Sequence, residues 1–306
     1  MYSQRLSAVE VISVFLFLNL ILSSSSQAGG GIDYTYSSGS DDSWSQTFGA
    51  FFNTDDYRWI ADLSYTYSDA SSEEQDESQD RYAGLTHYFD NNSSVGFYFQ
   101  DYDEHILEIK TKGVAVSLAV NEWLSYNRST VINFDYSEAI YSSKGFFNYS
   151  FRRKGYMYGI DQTITDQINF GLNYTHFEYS EDLEQLADRQ IARGRRLLRE
   201  AFETSGLRRL SLIKRGYATL NSNISSYGFM KNTWTAYLGW QALENYYINM
   251  AYSETDNYFE GRSILMSLTN SINITDQFYL TVTISSLEYS TEENTKFYDF
   301  SLGYLF

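Results

Sequence analysis

From residue 277 the chain alternates apolar and polar positions with a strict period of two. Phe278, Leu280, Val282 and Ile284 fall on one face, and Gln277, Tyr279, Thr281, Thr283 and Ser285 fall on the other. After the polar stretch 291–295 the pattern returns, with Tyr298, Phe300, Leu302, Tyr304 and Phe306 opposed by Asp299, Ser301 and Gly303. Such alternation predicts half-buried strands. Earlier segments obey the same rule: Ile264, Met266, Leu268, Ile272 and Ile274; Tyr246, Ile248, Met250 and Tyr252; Trp234, Ala236, Leu238 and Trp240. Toward the N-terminus the series runs through Trp44 to Phe52, Trp59 to Tyr67, Val95 to Phe99, Val114 to Val120, Ile132 to Tyr136 and Ile168 to Tyr174.

The connections alternate in length. Turns near 53–56, 90–94, 165–166, 242–245 and 275–276 are tight, whereas 69–80, 138–144, 254–261 and 290–295 read as longer polar loops. Short turns on one side and longer loops on the other fit an up-and-down antiparallel barrel spanning a membrane. With further strands at 32–37 and 82–89, the count is 14 if 181–231 is one excursion, or 16 if 207–229 adds a hairpin. Near Arg152, Arg153 and Lys154 the phase flips from Phe147, Tyr149 and Phe151 to Tyr156, Tyr158 and Ile160. A bulge, or a strand projecting above the membrane, would account for it.

The alternating Phe300, Leu302 and Tyr304 closed by a terminal Phe306 resemble the assembly signal of bacterial outer-membrane β-barrels. The resemblance implies a porin-like, all-β transmembrane barrel in the outer membrane of a Gram-negative bacterium. It also implies contact with outer-membrane lipid, lipopolysaccharide and the barrel assembly machinery. Composition agrees with this. The chain has no Pro, which would interrupt a closed ladder, and its 29 Tyr and 21 Phe fit aromatic girdles at two lipid interfaces. Zero Cys excludes disulfides and thiolate chemistry. A mean hydropathy of −0.40 is compatible with membrane strands, because half of each strand faces water. Residues 1–28 read as a signal peptide: Arg5, an apolar core from Val11 to Leu22, and Ser26-Gln27-Ala28 as a cleavage site. The barrel is expected over 29–306.

Segment 181–206 departs from the strand rule. Leu183, Leu186, Leu197, Leu198, Ala201 and Phe202 recur at three- and four-residue steps among good helix formers, which predicts one helix or two short ones broken at Gly194. It opens a basic stretch: Arg189, Arg193, Arg195, Arg196, Arg199, Arg208, Arg209, Lys214 and Arg215 stand against Glu200 and Glu203, in a protein of net charge −17. Three readings are open. The segment lines a positive pore constriction favouring anions, or it covers the rim and binds lipopolysaccharide phosphates, or it is a solvated helix. Nucleic acid is not an expected partner, since the cluster is isolated in an acidic, exported chain.

The acidic run 69–80 matches no calcium-loop spacing and reads as a solvated loop. Only His87, His105 and His176 are present, with no His-Glu-x-x-His or Gly-x-Ser-x-Gly pattern nearby. No metal, cofactor or catalytic residue is therefore expected. The reading that results is a channel for passive diffusion of small hydrophilic solutes, anion-preferring if the basic loop lines the pore. Its rivals are an interaction barrel with a filled lumen and a barrel hydrolase.

Overall fold

Fourteen strands follow one another in chain order: β1 (Gly29–Gly39), β2 (Trp44–Asn53), β3 (Trp59–Asp69), β4 (Ser78–Tyr88), β5 (Ser94–Glu104), β6 (Leu107–Asn121), β7 (Ser129–Ser143), β8 (Ser150–Thr165), β9 (Ile168–Tyr179), β10 (Met230–Leu243), β11 (Tyr246–Asn257), β12 (Arg262–Asn273), β13 (Phe278–Tyr289) and β14 (Thr295–Leu305). Each pairs antiparallel with its neighbour, and β1 closes on β14. The computed structural model describes residues 29–40, 43–54, 58–69, 77–104, 107–121, 129–144, 149–187, 196, 229–259, 261–289 and 294–306. The expected signal peptide lies outside these.

Closure removes the free edges that an open sheet would expose. At the seam Phe306 and Gly30 exchange backbone hydrogen bonds of 3.0 and 3.1 Å, and the Phe306 ring reaches Phe52 at 6.4 Å between centroids. Directly opposed residues share a face, so the register assigns every side chain to the outside or the lumen. Outside lies an aliphatic band including Leu63, Leu85, Leu172, Leu268 and Val282. Tyr36, Tyr136, Tyr156, Trp234, Tyr252 and Tyr298 girdle it at the long-loop end; Phe52, Trp59, Trp240, Phe278 and Tyr304 girdle it at the other. His87 lies in the second girdle between Trp59 and Phe89, at 4.4 and 4.8 Å between ring centroids. His176 is outward too, opposite Tyr156, and His105 is outside the described residues.

The single-excursion count of 14 is the one realised. The phase flip comes from projection, with no register shift in the 150–154 stretch. At 15, 15 and 16 residues, β6, β7 and β8 exceed the ~10 needed to cross a membrane. Their long-loop ends extend past the Tyr136–Tyr156 pair of the girdle, with Arg152 and Lys154 outward and Phe151 turned inward. Two boundaries differ from the sequence reading for the same reason. Residues 138–143 continue β7 instead of forming a loop, and β11 runs to Asn257 before the turn at Gly261 (φ 74°). Outward ion pairs decorate this projecting rim: Arg81–Asp101 at 3.5 Å, Lys112–Glu138 at 3.3 Å, and Lys144–Asp103.

Candidate functional site: the lumen

Lumen-facing positions fall into two unlike sectors. On β10–β14 and β1–β3 they are mainly hydroxyls, which bond in cross-strand pairs: Thr47–Thr66 at 2.8 Å, Thr233–Thr255 at 3.0 Å, Thr235–Ser253 at 2.9 Å, Thr269–Thr283 at 3.0 Å and Ser271–Thr281 at 2.9 Å. Pairing neutral hydroxyls satisfies them in part while leaving lone pairs for water or solute. The β4–β9 sector carries a denser network. Tyr98 donates to Asp135 at 2.9 Å, Gln100 to Asp80 at 2.7 Å, Ser117 to Asn133 at 2.7 Å, and Asn133 to Asp161 at 2.6 Å; Tyr237 closes onto Asp161 from β10.

Several of these tyrosines lie flat because the residue beneath is glycine. A Cβ at Gly113 would clash with the Tyr98 ring, one at Gly171 with that of Tyr237, and one at Gly303 with that of Tyr279. The rings line the wall instead of crossing the lumen. The alternation in the sequence puts Gly303 on the polar face but does not reveal its aromatic partner. The signal lies in the register of neighbouring strands, which a single strand does not display.

Near the long-loop mouth, Leu107, Ala139, Tyr141 and Phe151, all turned inward on β6–β8, join Leu183, Ala187 and Phe229 in a cluster whose members are each 1–5% exposed. Tyr141 stacks on Phe151 at 4.9 Å, and Phe229 meets both rings at 5.4 and 5.6 Å. The segment after β9 therefore turns into the mouth at its start and again at its end. Its opening turn is the short helix 183–187, capped by Asp182, whose carboxylate accepts the Gln185 N–H at 3.0 Å. Arg153 lies over Phe177 at 4.7 Å and Tyr141 at 5.5 Å. Tyr149, between β7 and β8, packs against the same cluster, and burial pushes its phenol up to about 12, so it stays neutral at physiological pH.

Of the basic candidates, Arg196 is helical and exposed. Arg189, Arg193, Arg195, Arg199, Arg208 and Arg209 lie outside the described residues. The described strands add a feature that the sequence reading did not weigh: Asp33, Asp62, Asp80, Glu104, Asp135, Asp161 and Asp299 all face the lumen, against Arg153. Lys231 sits at the rim over the Tyr258 ring, 4.6 Å away. Phe300, Leu302 and Tyr304 face outward on the last strand.

A closed barrel with a polar lumen and a girdled apolar exterior is a porin-like β-barrel of the outer-membrane type. No protein-family model and no curated protein matches the chain. Among solved structures, the KdgM porin in complex with disordered oligogalacturonate is 10% identical, with 90% of this chain and 98% of that chain covered at a TM-score of 0.43. OpdK of Pseudomonas aeruginosa with vanillate is 8% identical, covering 91% and 98%, at 0.43. The CymD monoaromatic hydrocarbon channel is 8% identical, covering 91% and 88%, at 0.48. These are likenesses of fold, and any functional assignment rests on this chain's own residues.

Proposed function

We propose that the protein is a channel in the outer membrane of a Gram-negative bacterium, passing small hydrophilic solutes by passive diffusion. The observation that carries this is the hydroxyl-lined lumen wall of β10–β14 and β1–β3, opposite the side on which the long segment is anchored. Such a wall offers a passing solute hydroxyl partners along the passage. No chemical step is assigned to the protein. The mechanism is size exclusion and lumen charge.

Ion preference is proposed to follow the basic segment. The described residues that flank it, Leu183, Ala187 and Phe229, are buried in the mouth, which favours Arg193, Arg195, Arg196 and Arg199 lying at the narrow part of the passage. Charge at a constriction outweighs charge spread along a wall, because screening acts over about 8 Å at physiological salt. A second reading is favoured by the seven lumenal carboxylates, which would make the channel prefer cations.

Reversal potentials across a planar bilayer in a KCl gradient test both readings. Anion preference that falls when the four arginines become Gln supports the constriction. Cation preference unmoved by that change, and reduced by Asp33→Asn with Asp62→Asn, assigns selectivity to the wall. Absence of any conductance from a verified folded barrel would instead favour a filled lumen and an interaction role. Lipopolysaccharide phosphates would meet the outward Lys110, Lys112, Arg152 and Lys154, which stand above Tyr136 and Tyr156. The terminal strand is proposed to engage the barrel assembly machinery.

A further inference from the structure

Five adjacent strands set four serines and a carboxylate in one line at the long-loop mouth. Ser37 opposes Ser45, Ser45 opposes Ser68, Ser68 opposes Ser78, and Ser78 opposes Glu104. Neighbouring strands lie ~4.8 Å apart, so the line offers hydrogen-bonding groups at a regular short interval. Ser68 and Ser78 are bonded Oγ to Oγ at 2.6 Å, and Tyr102 donates to Glu104 at 3.2 Å. Above this floor is a cavity of about 430 Å³, bounded also by the ring of Phe297. That size falls within the ~300–1,000 Å³ of small-molecule pockets.

We propose that this cavity is a recognition subsite for a neutral, polyhydroxylated solute of mono- to disaccharide size, taken up on the outer side before it enters the lumen. Passage of the bound solute rests on the channel reading, but the subsite itself is argued from its lining. Serine hydroxyls rotate and both donate and accept, which suits a ligand whose own groups are hydroxyls. Phe297 supplies an apolar face for the C–H side of a sugar ring. The described residues bounding the cavity include no Lys or Arg, and Glu104 and nearby Asp69 carry negative charge, so the lining disfavours an anion. A cation would find one mouth carboxylate already accepting from Tyr102. The position also agrees with the fold: Leu183, Ala187 and Phe229 pack on the β6–β8 side of the mouth, and none of them bounds this cavity.

The test uses the mature barrel in planar bilayers, with maltose, glucuronate or choline added on the loop side. Maltose should interrupt the ion current in a concentration-dependent way, more strongly than glucuronate or choline. Combining Ser45→Val with Ser68→Val should raise its half-blocking concentration about tenfold, the loss expected for one or two hydrogen bonds, with KCl conductance nearly kept. Stronger block by glucuronate or by choline, or a half-blocking concentration unmoved by the double change, overturns the proposal. Saturation-transfer NMR of maltose with the detergent-folded barrel separates the two readings. Binding without any current sinks the channel and keeps the subsite, whereas current without binding or block sinks the subsite and keeps the channel.

Discussion

Tyr98 reaches across the neighbouring strand to donate its hydroxyl to Asp135 at 2.9 Å, and Gly113, lying beneath its ring, is what makes that span possible. The same construction joins Tyr237 to Asp161 over Gly171. Flat rings stiffen the wall by bonding strand to next-but-one strand, and they keep their bulk out of the passage. A Cβ in either place would lift the ring toward the axis.

Gly113→Val should therefore break the Tyr98–Asp135 bond and tilt the ring inward. The expected result is a smaller unitary conductance and a stability loss of about 1–3 kcal/mol from overpacking. Tyr98→Phe should lose only the hydrogen bond, about 1 kcal/mol, and leave conductance close to that of the parent. Single-channel recording and urea unfolding in lipid vesicles check both, and equal conductance in the valine variant would contradict the ring's assigned position.

The mouth anchor is testable through the segment that it holds. Leu183 is 1% exposed and Phe229 3%. Replacing either with Ala should cost about 2–5 kcal/mol of local stability, since each leaves a cavity in a close-packed cluster. The barrel should still insert, because its ladder is untouched. Faster proteolysis between residues 188 and 228, together with noisier or larger open-channel current, is the expected outcome; unchanged cleavage would separate the segment from this cluster.

Outside and inside should differ in their tolerance of charge. Val282 and Leu268 face outward, while their chain neighbours Thr281 and Ser267 face the lumen. Arg at Val282 or Leu268 should destabilise by about 2–4 kcal/mol if the site lies near the bilayer midplane, and Arg at Thr281 or Ser267 should be tolerated. Folding titrations in vesicles measure this, and the reverse order at both pairs would invert the faces.

Phe306 closes the seam through its backbone bonds to Gly30. Deleting it should sharply lower the amount of barrel reaching the membrane in cells, whereas the lumen-facing change Ser301→Ala should not. Matching membrane levels for the two variants would remove the role assigned to the terminal residue.

The class of fold was legible because a membrane strand meets two solvents. Lipid selects Phe278, Leu280 and Val282 on one face, and water selects Tyr279, Thr281 and Thr283 on the other, so the face assignment is written in adjacent residues. The turns were legible for a related reason. At the short-turn end Asn92 takes the left-handed conformation (φ 63°) that its side chain tolerates, within the connection between β4 and β5. Legibility failed where a second, internal apolar environment replaced lipid. Phe151 looked out of phase, and the part of β7 that carries Tyr141 read as loop, because these inward positions pack on Leu183 and Phe229 from a distant part of the chain.

By itself, then, the sequence determined an outward apolar face, an inward polar one, an ordered series of strands and a closing aromatic strand, since all of these depend on neighbours two residues apart. Only the tertiary structure decided that the count is fourteen, that Leu183, Ala187 and Phe229, which flank the basic stretch in sequence, pack inside the mouth, and that carboxylates outnumber cations among the described residues of the lumen wall. It also decided which tyrosine lies over which glycine, in networks whose bonded partners stand 37 and 76 residues apart. The physical reason is closure. A strand's own alternation sets which way a side chain points, but what it meets there is set by the register of the neighbouring strands and by whatever chain folds back into the space that they enclose.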